Sequence, residues 1–132
     1  VIVLDTHALL WWVTGDDALS QKARKAIESE LANDGQVIIS AISAWEIAML
    51  VAKGRLALTM DIDDWLKTVN AIEGVSFVPI DTHVAVQSVR LPGEFHSDPA
   101  DRLIVALARH YSAPLVTADV KIKAYRHVKT IW

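Results

Sequence analysis

The sequence predicts an α/β three-layer sandwich, with a central, mostly parallel sheet flanked by helices. Three observations carry that prediction. Short β-branched runs alternate with helix-like segments from one end of the chain to the other. Strands separated by helices need crossover connections, which place parallel strands in one sheet and cover both its faces. At 132 residues the chain has room for one core, so residues 1–132 are expected to form a single domain.

The elements follow in order. Val1–Leu4 is a buried strand that ends at Asp5. Ser20–Asn33 carries Ala23, Ile27 and Leu31 at helical spacing, closed by Gly35. Val37–Ile39 is a second strand, and a helix follows from about Ser43 to Lys53 with Gly54 at its end. Asp61–Glu73 turns Trp65, Leu66, Val69 and Ile72 inward and stops at Gly74. Val75–Ile80 reads as strand and Thr82–Leu91 as helix, halted by Pro92. Pro99 opens the helix Ala100–His110, because proline suits the first helical position. Leu115–Thr117 and Val128–Trp132 are the last strands, with a short helical stretch at Val120–Tyr125 between them.

Composition narrows the chemistry. There are no cysteines, which excludes disulfides, thiolate metal sites and cysteine nucleophiles. The apolar runs are too short to span a bilayer and no signal-peptide pattern precedes the first, so a cytoplasmic location without membrane contact is expected. A net charge of −3 is not that of a protein that coats nucleic acid. Cations bound at a few acids would bring that balance close to neutral, so net charge decides nothing here.

Four carboxylates occupy related places. Asp5 follows the first strand, and Glu46 lies in the first turn of the helix after the second. Asp101 lies in the first turn of the helix opened by Pro99, and Asp119 comes just after the strand Leu115–Thr117. In an open parallel sheet, strand ends and the first turns of the next helices meet at one edge, where ligands bind. Four bare carboxylates there repel one another, so the cluster makes sense around hard cations such as Mg²⁺ or Mn²⁺. Two such ions about 4 Å apart hold a scissile phosphate and activate water, the chemistry of a phosphodiesterase.

Each acid also has a plainer reading. Ser43-Ala-Trp-Glu46 is a capping-box pattern. Asp98-Pro99-Ala100-Asp101 reads as an N-cap, a proline and an acid favoured by the helix dipole. Asp119 suits a turn after a strand. Taken singly, capping or turn geometry accounts for Glu46, Asp98 and Asp119. Asp5 stands between an apolar strand and Ala8–Val13, where a carboxylate is costly to bury without a partner.

At these residues the chain resembles PIN domains, and more narrowly the toxin ribonucleases of the VapC type. The matching pieces are Leu4-Asp5-Thr6 with a following apolar helix, Ser43-Ala-Trp-Glu46-Ile47, Asp98-Pro-Ala-Asp101-Arg-Leu-Ile-Val-Ala106 and Leu115-Val-Thr-Ala-Asp119. They stand in the family's order and span nearly the whole chain. The resemblance implies a Mg²⁺- or Mn²⁺-dependent endoribonuclease that cuts RNA and inhibits growth. It also implies a cognate antitoxin inserted near the acidic pocket and a toxin homodimer. Asp5, Glu46 and Asp101 carry over as metal-binding acids, with Asp119 at a more variable fourth position. Asp101 fits better than Asp98 because Ile104-Val105-Ala106 follows at the family's spacing. Thr6 or Thr117 is expected to add a hydroxyl at the metal or the substrate, and Arg102 to bind phosphate or pair with an acid. Ser97 and Ala100 replace an arginine and an aromatic expected in that loop.

The remaining candidates stay open. His7 and His96 are placed either against phosphate or at the surface. Trp45 and Trp65 are expected in the core. Adjacent Trp11 and Trp12 are not expected to share one core, which leaves one for a dimer or antitoxin contact. Lys121, Lys123, Arg126 and Lys129 form either a solvated face or a patch for an RNA backbone. The rival classes are a Mg²⁺-binding receiver-like signalling domain and an inactive binding module of the same fold. A receiver would need a phosphoacceptor aspartate after a central strand and a lysine ending the last, and neither is in place.

Overall fold

The structure, a computed structural model, describes all residues from Val1 to Trp132. Five strands, β1 (Ile2–Leu4), β2 (Val37–Ser40), β3 (Val75–Val78), β4 (Leu115–Val116) and β5 (Thr130–Ile131), lie in the order β3-β2-β1-β4-β5. Every neighbouring pair is parallel. Seven helices connect them: α1 (Thr6–Thr14), α2 (Gln21–Ala32), α3 (Ala41–Ala52), α4 (Ile62–Asn70), α5 (Thr82–Val89), α6 (Pro99–His110) and α7 (Val120–Lys123).

Strand alternation divides the core. Ile2, Leu4, Val37, Ile39 and Val116 point to one face, where they meet Leu9 of α1, Ile27 of α2, Ile47 of α3 and Trp65 of α4. Val3, Ile38 and Leu115 point to the other, against Val84 of α5, Ile104 of α6 and Ile122 of α7. Both faces of the short strands are therefore apolar, as a covered parallel sheet requires. Burying a side chain such as Leu4 or Ile39 contributes roughly 1.5–3 kcal/mol each.

Several boundaries depart from the sequence expectation. Helix α3 starts at Ala41, two residues earlier than expected, because Ser40 at the end of β2 caps it by accepting from Ile42 N–H at 3.2 Å. Ser43-x-x-Glu46 is thus no capping box, and Glu46 sits in the second turn rather than the first. β3 stops at Val78, since Pro79 has no N–H to extend the ladder. β5 keeps only Thr130–Ile131 of the expected Val128–Trp132. Ile72 is not inward but lies beyond α4, at the surface. Trp45, expected in the core, is 55% exposed, whereas Trp65 is buried. Trp11 and Trp12 both pack partly against the same core, Trp11 also touching the ring of Trp132 with centroids 5.7 Å apart.

Strand order reverses at β1, whose neighbours β2 and β4 lead away in opposite directions. The crevice between the ends of β1 and β4 is the point where such sheets bind ligands.

Candidate active site

Asp5 emerges from β1 directly into that crevice and caps α1. Its Oδ1 accepts from Thr6 N–H at 2.8 Å, and its Oδ2 accepts from the Thr117 hydroxyl at 2.7 Å. Thr117, fully buried beyond β4, also accepts from the N–H of Asp119 at 3.0 Å. One threonine therefore locks the two neighbouring strand ends together. Asp119 in turn caps α7, accepting from Ile122 N–H at 3.0 Å.

Glu46 approaches from α3. Its Oε1 lies 2.7 Å from the Thr6 hydroxyl, which is also 2.8 Å from the Ser43 hydroxyl. Thr6 has one proton, so when it donates to Glu46 the Ser43 hydroxyl donates to Thr6. Asp101 stands in the first turn of α6, three residues after its N-cap Asp98, whose Oδ1 accepts from Asp101 N–H at 3.0 Å. Asp5, Glu46, Asp101 and Asp119, with Thr6 and His7, line one pocket of about 220 Å³.

The electrostatics of the pocket are unfavourable to its own charges. Burial, followed by repulsion from Asp5, Asp98, Asp119 and Glu46, pushes the Asp101 carboxyl up to about 7. Burial also raises Glu46, against the Thr6 hydrogen bond that lowers it and with help from Asp5 and Asp98. For Asp5, burial outweighs the hydrogen bonds from Thr117 and Thr6. His7, at the same pocket, lowers Asp5 and Glu46 but does not outweigh burial. His96 Nε2 approaches Asp101 Oδ2 to 3.0 Å but is out of line for a hydrogen bond.

The donors offered are carboxylate and hydroxyl oxygens, the chemistry that suits hard divalent cations. No three of the His, Asp and Glu side chains close into a ready-made ligand set. The acids line a shared opening and are steadied from behind by Thr6, Ser43 and Thr117. The oxygen donors lining this opening are of the chemical type that suits a hard cation.

A model of the PIN domain matches residues 2–128. Over 99% of its length the chain is 36% identical to ribonuclease VapC22 of Mycobacterium tuberculosis, covering 98% of that protein. The chain is a PIN domain of the VapC family. Its fold is shared with a toxin–antitoxin complex from Klebsiella pneumoniae, at TM-score 0.66 and 23% identity, over 97% of this chain and 95% of that one. It is shared too with FitAcB from Neisseria gonorrhoeae, at TM-score 0.65 and 20% identity, over 98% and 96% of the two chains. At such identities the likeness is one of fold.

Within this PIN domain, the structure brings together all four predicted acids. It assigns other residues differently. Thr6 and Thr117 are buried and engage the acids through their hydroxyls, Thr6 at the wall of the pocket itself. Arg102 does not face the pocket. Its guanidinium donates to the carbonyls of Ser88, Phe95 and His96 at 2.8, 2.9 and 3.2 Å, which corrects the expectation that it binds phosphate or pairs with an acid. Those carbonyls end α5 and line the following loop, and an arginine fork is what can hold several at once. Sequence reasoning took Ser43 only as a helix cap and part of the matching segment, and missed its hydrogen bond to Thr6. The available signal was a hydroxyl on an otherwise apolar helix, one turn from Glu46.

Proposed function

We propose that this PIN domain is a Mg²⁺- or Mn²⁺-dependent endoribonuclease and the toxin of a toxin–antitoxin pair, with Asp5, Glu46, Asp101 and Asp119 as the metal-binding acids. One observation carries the reading. Four acids from separate segments share a pocket in which burial and mutual repulsion hold Asp101 up to about 7 and leave Asp5 and Glu46 raised despite the nearby His7. The relative named as a ribonuclease and the fold shared with toxin–antitoxin complexes support the same reading.

When bound, divalent ions supply neutralisation of the phosphodiester charge and a water acidic enough to attack at neutral pH. The protein's part is placement. Thr117 and Thr6 aim the Asp5 oxygens, and Thr6 with Ser43 fixes Glu46. Asp101 and Asp119 close the other side, and His7 stands at the exposed mouth. Residues 1–132 act as one PIN unit in this reading. The cognate antitoxin is a protein partner, the toxin pairs with a second copy of itself, and the pair works in the cytoplasm on RNA. No helix is long and apolar enough to cross a membrane.

The test is RNA cleavage by the purified chain with Mn²⁺, with EDTA, and with Asp5→Asn. Cleavage is expected only in the first case. Cutting that persists in chelator or in the mutant defeats the assignment.

A further inference from the structure

The acid pocket is one end of a longer depression. It shares Asp101 and Asp119 with a second cavity, which is also lined by Asp98, His96 and Lys121. That cavity shares His96 and Lys121 with a cleft of about 510 Å³ beside Tyr125 and Arg126. The cleft shares His127 with a fourth cavity, of about 420 Å³, flanked by Arg109 and Lys129. Each step away from the acids adds a cation: Lys121, then Arg126, then Arg109 and Lys129. In this outer part the one acid is Glu94. The chain as a whole carries net charge −3, so the grouping runs against its average.

The floor of the cleft is aromatic and built. The ring of Tyr125 lies 4.7 Å from that of Phe95 and 5.3 Å from that of His127, centroid to centroid. The Tyr125 hydroxyl donates to the Pro92 carbonyl, tying the chain after α7 to the loop on the far wall. Arg109 donates to the His127 carbonyl, which fixes the next turn of the groove. Arg102 holds the Phe95 and His96 carbonyls from behind. Tyr125 is itself buried and supports the half-buried rings of Phe95 and His127. A cationic rim beside those two rings, continuous with the acid pocket, suits unpaired nucleotides: phosphates on the rim and base faces on the rings.

We propose that this groove, from Lys121 through Arg126 to Arg109 and Lys129, binds single-stranded RNA on one side of the scissile phosphate. The inference rests on the ribonuclease reading for its ligand. The strand leaves the acids across α7 and the α7–β5 link, not across α2. His127, half-buried at the junction of two cavities, presents a ring to a base.

The test measures binding of a fluorescent 2′-O-methyl oligoribonucleotide, which cannot be cut, by anisotropy in Mg²⁺ at several salt concentrations. Lys121→Ala with Arg126→Ala is expected to weaken binding about tenfold and to reduce the log–log salt slope by about 1.4, some 0.7 per lost phosphate contact. His127→Ala at pH 8 is expected to weaken binding about tenfold with the slope unchanged, the mark of lost stacking. Lys22→Ala with Lys25→Ala, on exposed positions of α2, is the control and leaves binding as it was. Equal losses from the two lysine-containing pairs mean diffuse attraction and overturn the proposal. So does intact RNA binding by the groove variant with loss of a polyglutamate peptide, which makes the groove a protein-docking surface. Groove-dependent binding without any metal-dependent cleavage sinks the nuclease reading and leaves the groove standing. Metal-dependent cleavage with binding indifferent to these residues does the reverse.

Discussion

Thr117 carries more of the site than its size suggests. Its hydroxyl donates to Asp5 and accepts from the Asp119 N–H, so it sets the separation of two acids from adjacent strands. Thr117→Val keeps the shape and removes both bonds. Loss of such a supporting contact is expected to cut metal affinity or turnover about 10- to 100-fold. Metal titration of the cleavage rate checks it, and an unchanged rate at every metal concentration rejects the role. Asp98 and Asp101 separate capping from site chemistry on one helix. Asp98→Ala removes the N-cap of α6 and is expected to cost about 1 kcal/mol. Asp101→Asn relieves repulsion, so in chelator at pH 8 its melting temperature is expected to rise. A fall for Asp101→Asn similar to that for Asp98→Ala would show that Asp101 serves the helix alone. At this scale the four acids were legible, because carboxylates at strand ends are conspicuous. The burden on Ser43 and the turn of Arg102 toward carbonyls were not, since both depend on partners 37 and 14 residues away.

Elements place these residues. Ser40 rather than Ser43 caps α3, which puts Glu46 in the second turn of the helix, where it meets the Thr6 hydroxyl. Both serines satisfy the local capping rule. The choice is made by β2, which pairs with β3 as far as Ser40 and leaves Ala41 free to turn. The loop after α5 is held in another way. Arg102 of α6 ties the Ser88 carbonyl to those of Phe95 and His96, and so fixes one wall of the groove beyond the acids. Arg102→Met keeps the aliphatic stem and is expected to cost about 1–3 kcal/mol, the penalty for carbonyls stripped of their donor. Urea unfolding measures it, and hydrogen exchange is expected to quicken over residues 88–96 first. A uniform change across the chain, with nothing local to that segment, contradicts the role.

The acids tax the molecule as a whole. Asp101 titrates near 7 in the folded chain against an ordinary value of 3.8, so between those limits the folded state binds more protons than the unfolded. Stability of the metal-free protein is therefore expected to fall as pH rises from about 4 to about 7 and to level off above that. Asp5 and Glu46 shift in the same direction and add to the slope. In the proposed metal site divalent cations would bind the deprotonated acids, so their stabilisation is expected to be larger at pH 8 than at pH 5. Chemical denaturation in EDTA and in Mn²⁺ at both pH values tests the pair of statements. A metal-free midpoint that rises from pH 5 to pH 8 is incompatible with them.

The sequence by itself determined the alternation of strand and helix, the apolar character of the strands on both faces, and the four acids at strand and helix ends. These are local properties, carried by side-chain period and by residue type at a boundary. Tertiary structure alone decided that β1 is central, which makes one crevice of four scattered carboxylates. It also decided that Trp45 faces solvent, that Trp11 and Trp12 share a core, and that Arg102 serves the backbone. Each of those outcomes depends on which surface comes to lie opposite a residue, and the path of the chain through space sets that.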